Sequence, residues 1–119
     1  MSYPDPVYLG DSGEASASYR AASTAPELEY KAGTRCSFLA TGATTGGLFG
    51  LYLWEMPAAA GGPGPHFHRT IQESFFVLSG TIKIYDGRGW RDARSGDFVH
   101  VPEGGCTASV MTATGPRQC

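Results

Sequence analysis

The chain has 119 residues, with 9 Lys and Arg against 11 Asp and Glu, 17 Gly, 8 Pro and 3 Cys. That length suits one domain of about 100–150 residues, which buries roughly two thirds of its unfolded surface and folds without a disulfide or metal. A net charge of −2 excludes a strong nucleic-acid binder with a basic face, though not an anionic small ligand. A content of 41% hydrophobic and 17% charged residues excludes a wholly disordered chain. No apolar run approaches the roughly 20 residues of a membrane helix, so no membrane partner is expected. Met1-Ser2-Tyr3-Pro4-Asp5-Pro6 lacks the basic start and apolar block of a secretory signal. Cys36, Cys106 and Cys119 are far apart and form no Cys-x-x-Cys pair, which predicts reduced thiols in a cytoplasmic protein.

Residues 1–33 are rich in Ser, Ala, Pro, Gly and Glu without a sustained period, and read as an N-terminal arm or edge segment. A strand is expected at Cys36–Ala40, a turn-rich loop at Thr41–Gly47, and an aromatic and branched strand at Leu48–Met56. Pro57 ends that strand, and a Gly/Pro loop runs from Ala58 to Pro65. Glu73–Leu78 and Thr81–Tyr85 follow as strands, the second alternating polar and apolar. Asp86-Gly87-Arg88-Gly89 is a turn signal, Trp90–Ala93 a returning strand, and Asp97–Val101 a strand stopped by Pro102. No helical period with caps is present. Many short strands joined by Gly-rich turns predict an all-β sandwich or barrel.

His66 and His68 are two residues apart, so on a strand they share a face and their imidazoles can converge. Glu73 follows after a gap that permits a bend, and offers an anionic oxygen. Two His and one carboxylate suit Fe, Mn, Ni, Cu or Zn, and leave coordination positions open. A bare His-x-His in an arbitrary chain is more often a polar surface pair.

The wider spacing shifts that balance. His66-Phe67-His68, four residues, Glu73, six residues and Gly80 resembles the first sequence motif of the cupin superfamily. Gly61-Gly62-Pro63-Gly64-Pro65 resembles the approach to it, with glycine spacing one residue off, and the strand–turn–strand from Phe75 to Tyr85 is also similar. Gly96, five residues, then Pro102-Glu103-Gly104 resembles the first half of the second cupin motif. The resemblance runs from about Leu48 to Gly104 and implies an antiparallel β-barrel or jelly roll over residues 34–104. It implies His66, His68 and Glu73 as metal ligands, with Glu73 also able to act as a base. Gln72 is a weaker alternative to Glu73. Parity from Glu73 places Phe75 and Val77 inward, where they either line a substrate pocket or simply pack, and Phe76 and Leu78 outward.

The second motif then stops matching. The family's next histidine falls at Thr107, and its asparagine at Met111. Cys106 is one residue away, but a one-residue slip on a strand turns a side chain to the opposite face. His100 precedes Pro102 and has no reason to reach the metal. Residues 105–119 are an atypical tail, poor in strand alternation, and the barrel is expected to be incomplete there. Back-translated and read one base over, Cys106 to Thr112 permits His-Gly-Phe-Arg-Asn-Asp, which places His and Asn at the family's spacing. The expectation is a one-nucleotide deletion near codon 105; the rival is a natural loss of the ligand. Functionally, the resemblance implies a metal-binding cupin akin to small-molecule dioxygenases or isomerases, with a divalent transition metal and a small-molecule substrate. The alternatives are a non-catalytic sensor or storage module, or an inactive truncated product. An open sheet edge predicts a homodimer.

Overall fold

The computed structural model describes residues 2–58 and 61–110. Eight strands are present and, among the described residues, no helix. β1 (Leu28–Glu29), β2 (Arg35–Ala40) and β3 (Leu51–Glu55) form one sheet in that order. β4 (Glu73–Phe76) pairs with β7 (Phe98–Val101). β5 (Thr81–Tyr85) lies between β6 (Trp90–Arg94) and β8 (Ala108–Val110). Every pairing is antiparallel. The all-β architecture expected from the sequence is therefore present, laid out as three ladders.

The hairpins follow local chemistry. Asp86 turns the chain between β5 and β6: its Oδ1 accepts the Arg88 and Gly89 amides at 2.9 and 3.0 Å. The Arg91 guanidinium bonds its other oxygen at 2.5 Å. The Arg91 bond, then the Arg88 amide, hold the Asp86 carboxyl down at about 2. Two turn glycines carry the linkage of β4 to its neighbours. Gly80 (φ 74°) and Gly96 (φ 89°) both occupy the left-handed region that side chains with a Cβ resist. The Gly96 amide donates to Val77 O at 2.8 Å, and the Val77 amide donates to Asp97 O at 3.1 Å, which carries the β4–β7 ladder one step beyond Phe76.

The core is small. Val77, Ile84 and Ala93 are buried together, with Phe75, Ile82 and Val99 packed against them. These are the inward positions of β4, β5, β6 and β7. Phe76 and Phe98 are cross-strand partners on the opposite face of β4–β7, and both stay exposed. The alternation read from Glu73 is thus the alternation in the fold.

Three boundaries differ from expectation. β3 starts at Leu51, not Leu48, because the Thr45 hydroxyl donates to Phe49 O (2.8 Å) and receives the Phe49 amide (3.2 Å), tying that stretch into the preceding turn. β1 forms inside the expected arm; the Glu27 carboxylate accepts the Phe38 amide at 2.7 Å and pairs with Arg20, pinning this segment beside β2. β8 forms inside the tail that shows little strand signal. Its register is set by the backbone of β5, Tyr85 against Ala108 and Ile84 against Ser109, and small residues suffice for that. The remainder of the tail, 111–119, lies outside the described residues.

Candidate metal centre

His66 lies at a single bridge and His68 in the connection after it, so neither stands on a long strand. What holds them is backbone pairing to the far end of the chain. His66 and Thr107 exchange two amide–carbonyl hydrogen bonds of 2.9 Å each, and the Gly104 amide donates to His68 O at 2.8 Å. Glu73 opens β4 opposite Val101. The first motif is thereby stitched to the segment around the second, and three side chains meet.

The meeting is tight. His68 Nε2 lies 3.4 Å and His66 Nε2 4.0 Å from Glu73 Oε2. One donor atom from each of the three falls within 4.8 Å of the others. The imidazole rings stand edge to face with centroids 5.1 Å apart. Donor atoms about 2.1 Å from a tetrahedral ion are ~3.4 Å from one another, so this spacing suits a shared ion. His66 Nδ1 lies 2.8 Å from Gly64 O; as an N–H donor there it leaves Nε2 as the lone-pair nitrogen, turned toward Glu73.

Glu73 Oε2 supplies the sharper sign. It is buried, and no hydrogen-bond partner reaches it among the described residues. A buried acceptor without a partner costs on the order of 1–3 kcal/mol, more when charged. A cation seated between the two imidazoles and this oxygen removes that cost. The donor set therefore fits a divalent transition metal: two neutral nitrogens and one anionic oxygen, with room for exogenous ligands.

A family profile described as "Cupin domain" matches residues 52–114, just over half of the chain. The chain belongs to the cupin family. Comparison with curated proteins and with solved structures gives no match. The cupin match reaches beyond Gly104, where the motif resemblance fails, and so takes in β8 and the Thr107 bridge.

Other residues singled out from the sequence fall elsewhere in the cupin fold. Gln72 Nε2 points at the Glu103 carboxylate, 3.2 and 3.4 Å from its two oxygens, and is not part of the three-residue group. His100 sits opposite Ser74, its Nδ1 3.0 Å from Ser74 Oγ. Both are one residue off Glu73 and Val101, hence on the other face of the ladder. Phe75 and Val77 belong to the packed core cluster. Cys106 is disulfide-bonded, which departs from the reduced thiol expected of it and removes its sulfur as a ligand; it lies half-buried in the connection to β8, where a second thiol can reach it. Cys36 is a buried free thiol in the first sheet, its pKa pushed up by burial and by the Glu27 carboxylate.

The residue that sequence reading undervalues is Thr107. It is fully buried and stands directly across from His66. Its hydroxyl donates to Tyr85 O at 3.0 Å, so the oxygen is occupied in tying the bridge to β5. Its motif position signalled a vacancy for a ligand, but not this bridging role.

No helix among the described residues is long and apolar enough to cross a membrane.

Proposed function

We propose that this cupin binds a divalent transition metal at His66, His68 and Glu73 and uses it to hold a small molecule for dioxygenase-like or isomerase-like chemistry. The observation that carries the reading is the buried, unpartnered Glu73 Oε2 facing two imidazole nitrogens. When bound, the ion supplies Lewis acidity and open positions for exogenous ligands. The chain's own residues do the rest. Gly64 O fixes the His66 tautomer, and Glu73 contributes the one negative charge. Glu73 is also the group at the site able to accept a proton from a ligand. Phe75 and Val77 lie inward on the same strand as Glu73 and form the apolar side of the site; the burial pattern of β4 supports this.

A non-catalytic ligand-binding module is the second reading, and Thr107 favours it, because a hydroxyl committed to Tyr85 O adds no fourth donor. Exposed Phe76, Leu78 and Phe98 on the outer side of β4 and β7 support homodimer formation. The test is metal analysis followed by turnover. Purified chain loaded with Fe, Mn, Ni, Cu or Zn should bind about one ion. His66→Ala should lose it, and His100→Ala, altered on the opposite face, should keep it. Oxygen consumption or substrate isomerisation that vanishes in His66→Ala supports the enzyme. Metal-dependent ligand binding without turnover supports the module.

A further inference from the structure

The geometry points to position 107 as the fourth coordinating position of this site. We propose that the gene encodes a histidine there in the adjacent reading frame, displaced by loss of one nucleotide at or just before codon 106. The inference rests on the metal-site reading above.

The structural half needs only the bridge. His66 and Thr107 form a directly opposed antiparallel pair that exchanges both hydrogen bonds. Side chains of such a pair leave the same face of the ladder, with Cα atoms about 5.5 Å apart. Any side chain at 107 therefore starts out beside the His66 imidazole, on the side where Glu73 and His68 converge. Thr107 has 0% exposure, so this position is inside the site's wall and not at its rim. The threonine makes no use of that direction: its hydroxyl bonds sideways to Tyr85 O. Two neighbours confirm by contrast how specific the place is. The Cys106 sulfur is taken by a disulfide, and Ala108 carries no donor.

The coding half follows from the residues around it. A cysteine codon ends in T or C, and a threonine codon begins AC. The triplet made from the last base of codon 106 and the first two of codon 107 is therefore TAC or CAC, tyrosine or histidine and nothing else. With one base restored ahead of codon 106, that triplet becomes residue 107. Thr107-Ala108 and Ala108-Ser109 then permit Gly and Phe after it. So the one residue facing His66 across the bridge is also the one whose shifted codon is confined to two residue types, one of them an imidazole ligand.

Two measurements test this. Sequencing codons 102–112 should show TGC at codon 106; TGT there, or codons unable to spell His-Gly-Phe in the shifted frame, overturns the frame displacement. Thr107→His and Thr107→Cys in the full chain test the position, the second because cysteine nearly matches threonine in volume. Co²⁺ and Zn²⁺ affinities are read by competition with a chromophoric chelator. Both variants should bind on the order of 10- to 100-fold more tightly than the unaltered chain, at least the range that loss of an outer-shell partner costs. Thr107→Cys with Co²⁺ should add a thiolate-to-cobalt charge-transfer band. If His66-dependent binding is present in the unaltered chain and neither variant tightens it or shows the band, position 107 is not a ligand position, while the metal site stands. If no His66-dependent binding exists in any of the three, the metal-site reading falls and takes this inference with it.

Discussion

Glu73→Leu should reverse its effect on stability when metal is added. In the metal-free protein, Glu73 Oε2 is a buried acceptor with no partner, flanked by two imidazole nitrogens at 3.4 and 4.0 Å. Removing an unsatisfied buried polar atom recovers about 1–3 kcal/mol. Leucine is close to glutamate in size and would sit on the inward face with Phe75, adding to the core. With about 3–5 °C of melting temperature per kcal/mol for a chain of this length, the metal-free variant should melt roughly 5–10 °C above the unaltered protein. Metal at about 100 times its Kd stabilises a binding-competent fold by about 2.7 kcal/mol, or roughly 10 °C. The unaltered chain should gain that increment and Glu73→Leu should not, so the order of the two melting curves exchanges between chelator and metal. The assay is thermal unfolding by circular dichroism in EDTA and then with Zn²⁺ or Mn²⁺. A variant that melts lower than the unaltered chain in EDTA, with both curves indifferent to metal, would refute the reasoning: Glu73 would then be held by ordinary interactions and the orphaned oxygen would carry no stored cost.

Three further outcomes follow from the fold. Ile84→Ala, at a position 1% exposed between Val77 and Ala93, should cost about 2–5 kcal/mol in urea unfolding; a loss under about 1 kcal/mol would mean the cluster is not the core. Gly80→Ala should cost about 1–2 kcal/mol purely from backbone conformation, since φ is 74° and nothing lies within 4 Å of the added methyl; an unchanged midpoint would contradict the left-handed turn. Asp86 has a folded pKa depressed from 3.8 to about 2 by Arg91 and the turn amides, so its contribution is present above 3.8 and fades as the pH falls toward about 2. Asp86→Ala should therefore melt below the unaltered chain at neutral pH, and the gap should close in acid; a gap that persists at about pH 2 would show that the loss is packing and not charge.

The parts of this fold that can be read from sequence are those fixed by period and punctuation. Thr81–Tyr85 alternates polar and apolar residues between Gly80 and Asp86, and β5 has those bounds. β7 ends at Val101 because Pro102 cannot continue the ladder. Glu73, Phe75 and Val77 face inward because a strand has a period of two. β1 and β8 are not legible in the same way. Each is two or three residues long and is made a strand by its partner: β1 by β2 with the Glu27 clamp behind it, β8 by β5. The site divides similarly. The residue types and spacing of His66, His68 and Glu73 point to a metal, but their convergence depends on contacts between 66–68 and 104–107, which no local pattern encodes. For the same reason the sequence marks Thr107 only as a poor ligand, whereas the bridge shows which way that position faces.

The central claim is tested most directly by metal stoichiometry. The purified chain, saturated with a divalent transition metal, freed of excess and measured by elemental analysis, should hold about one ion per chain, and His66→Ala should hold almost none. Content well below one per chain in the unaltered protein, or equal content in both, would contradict it.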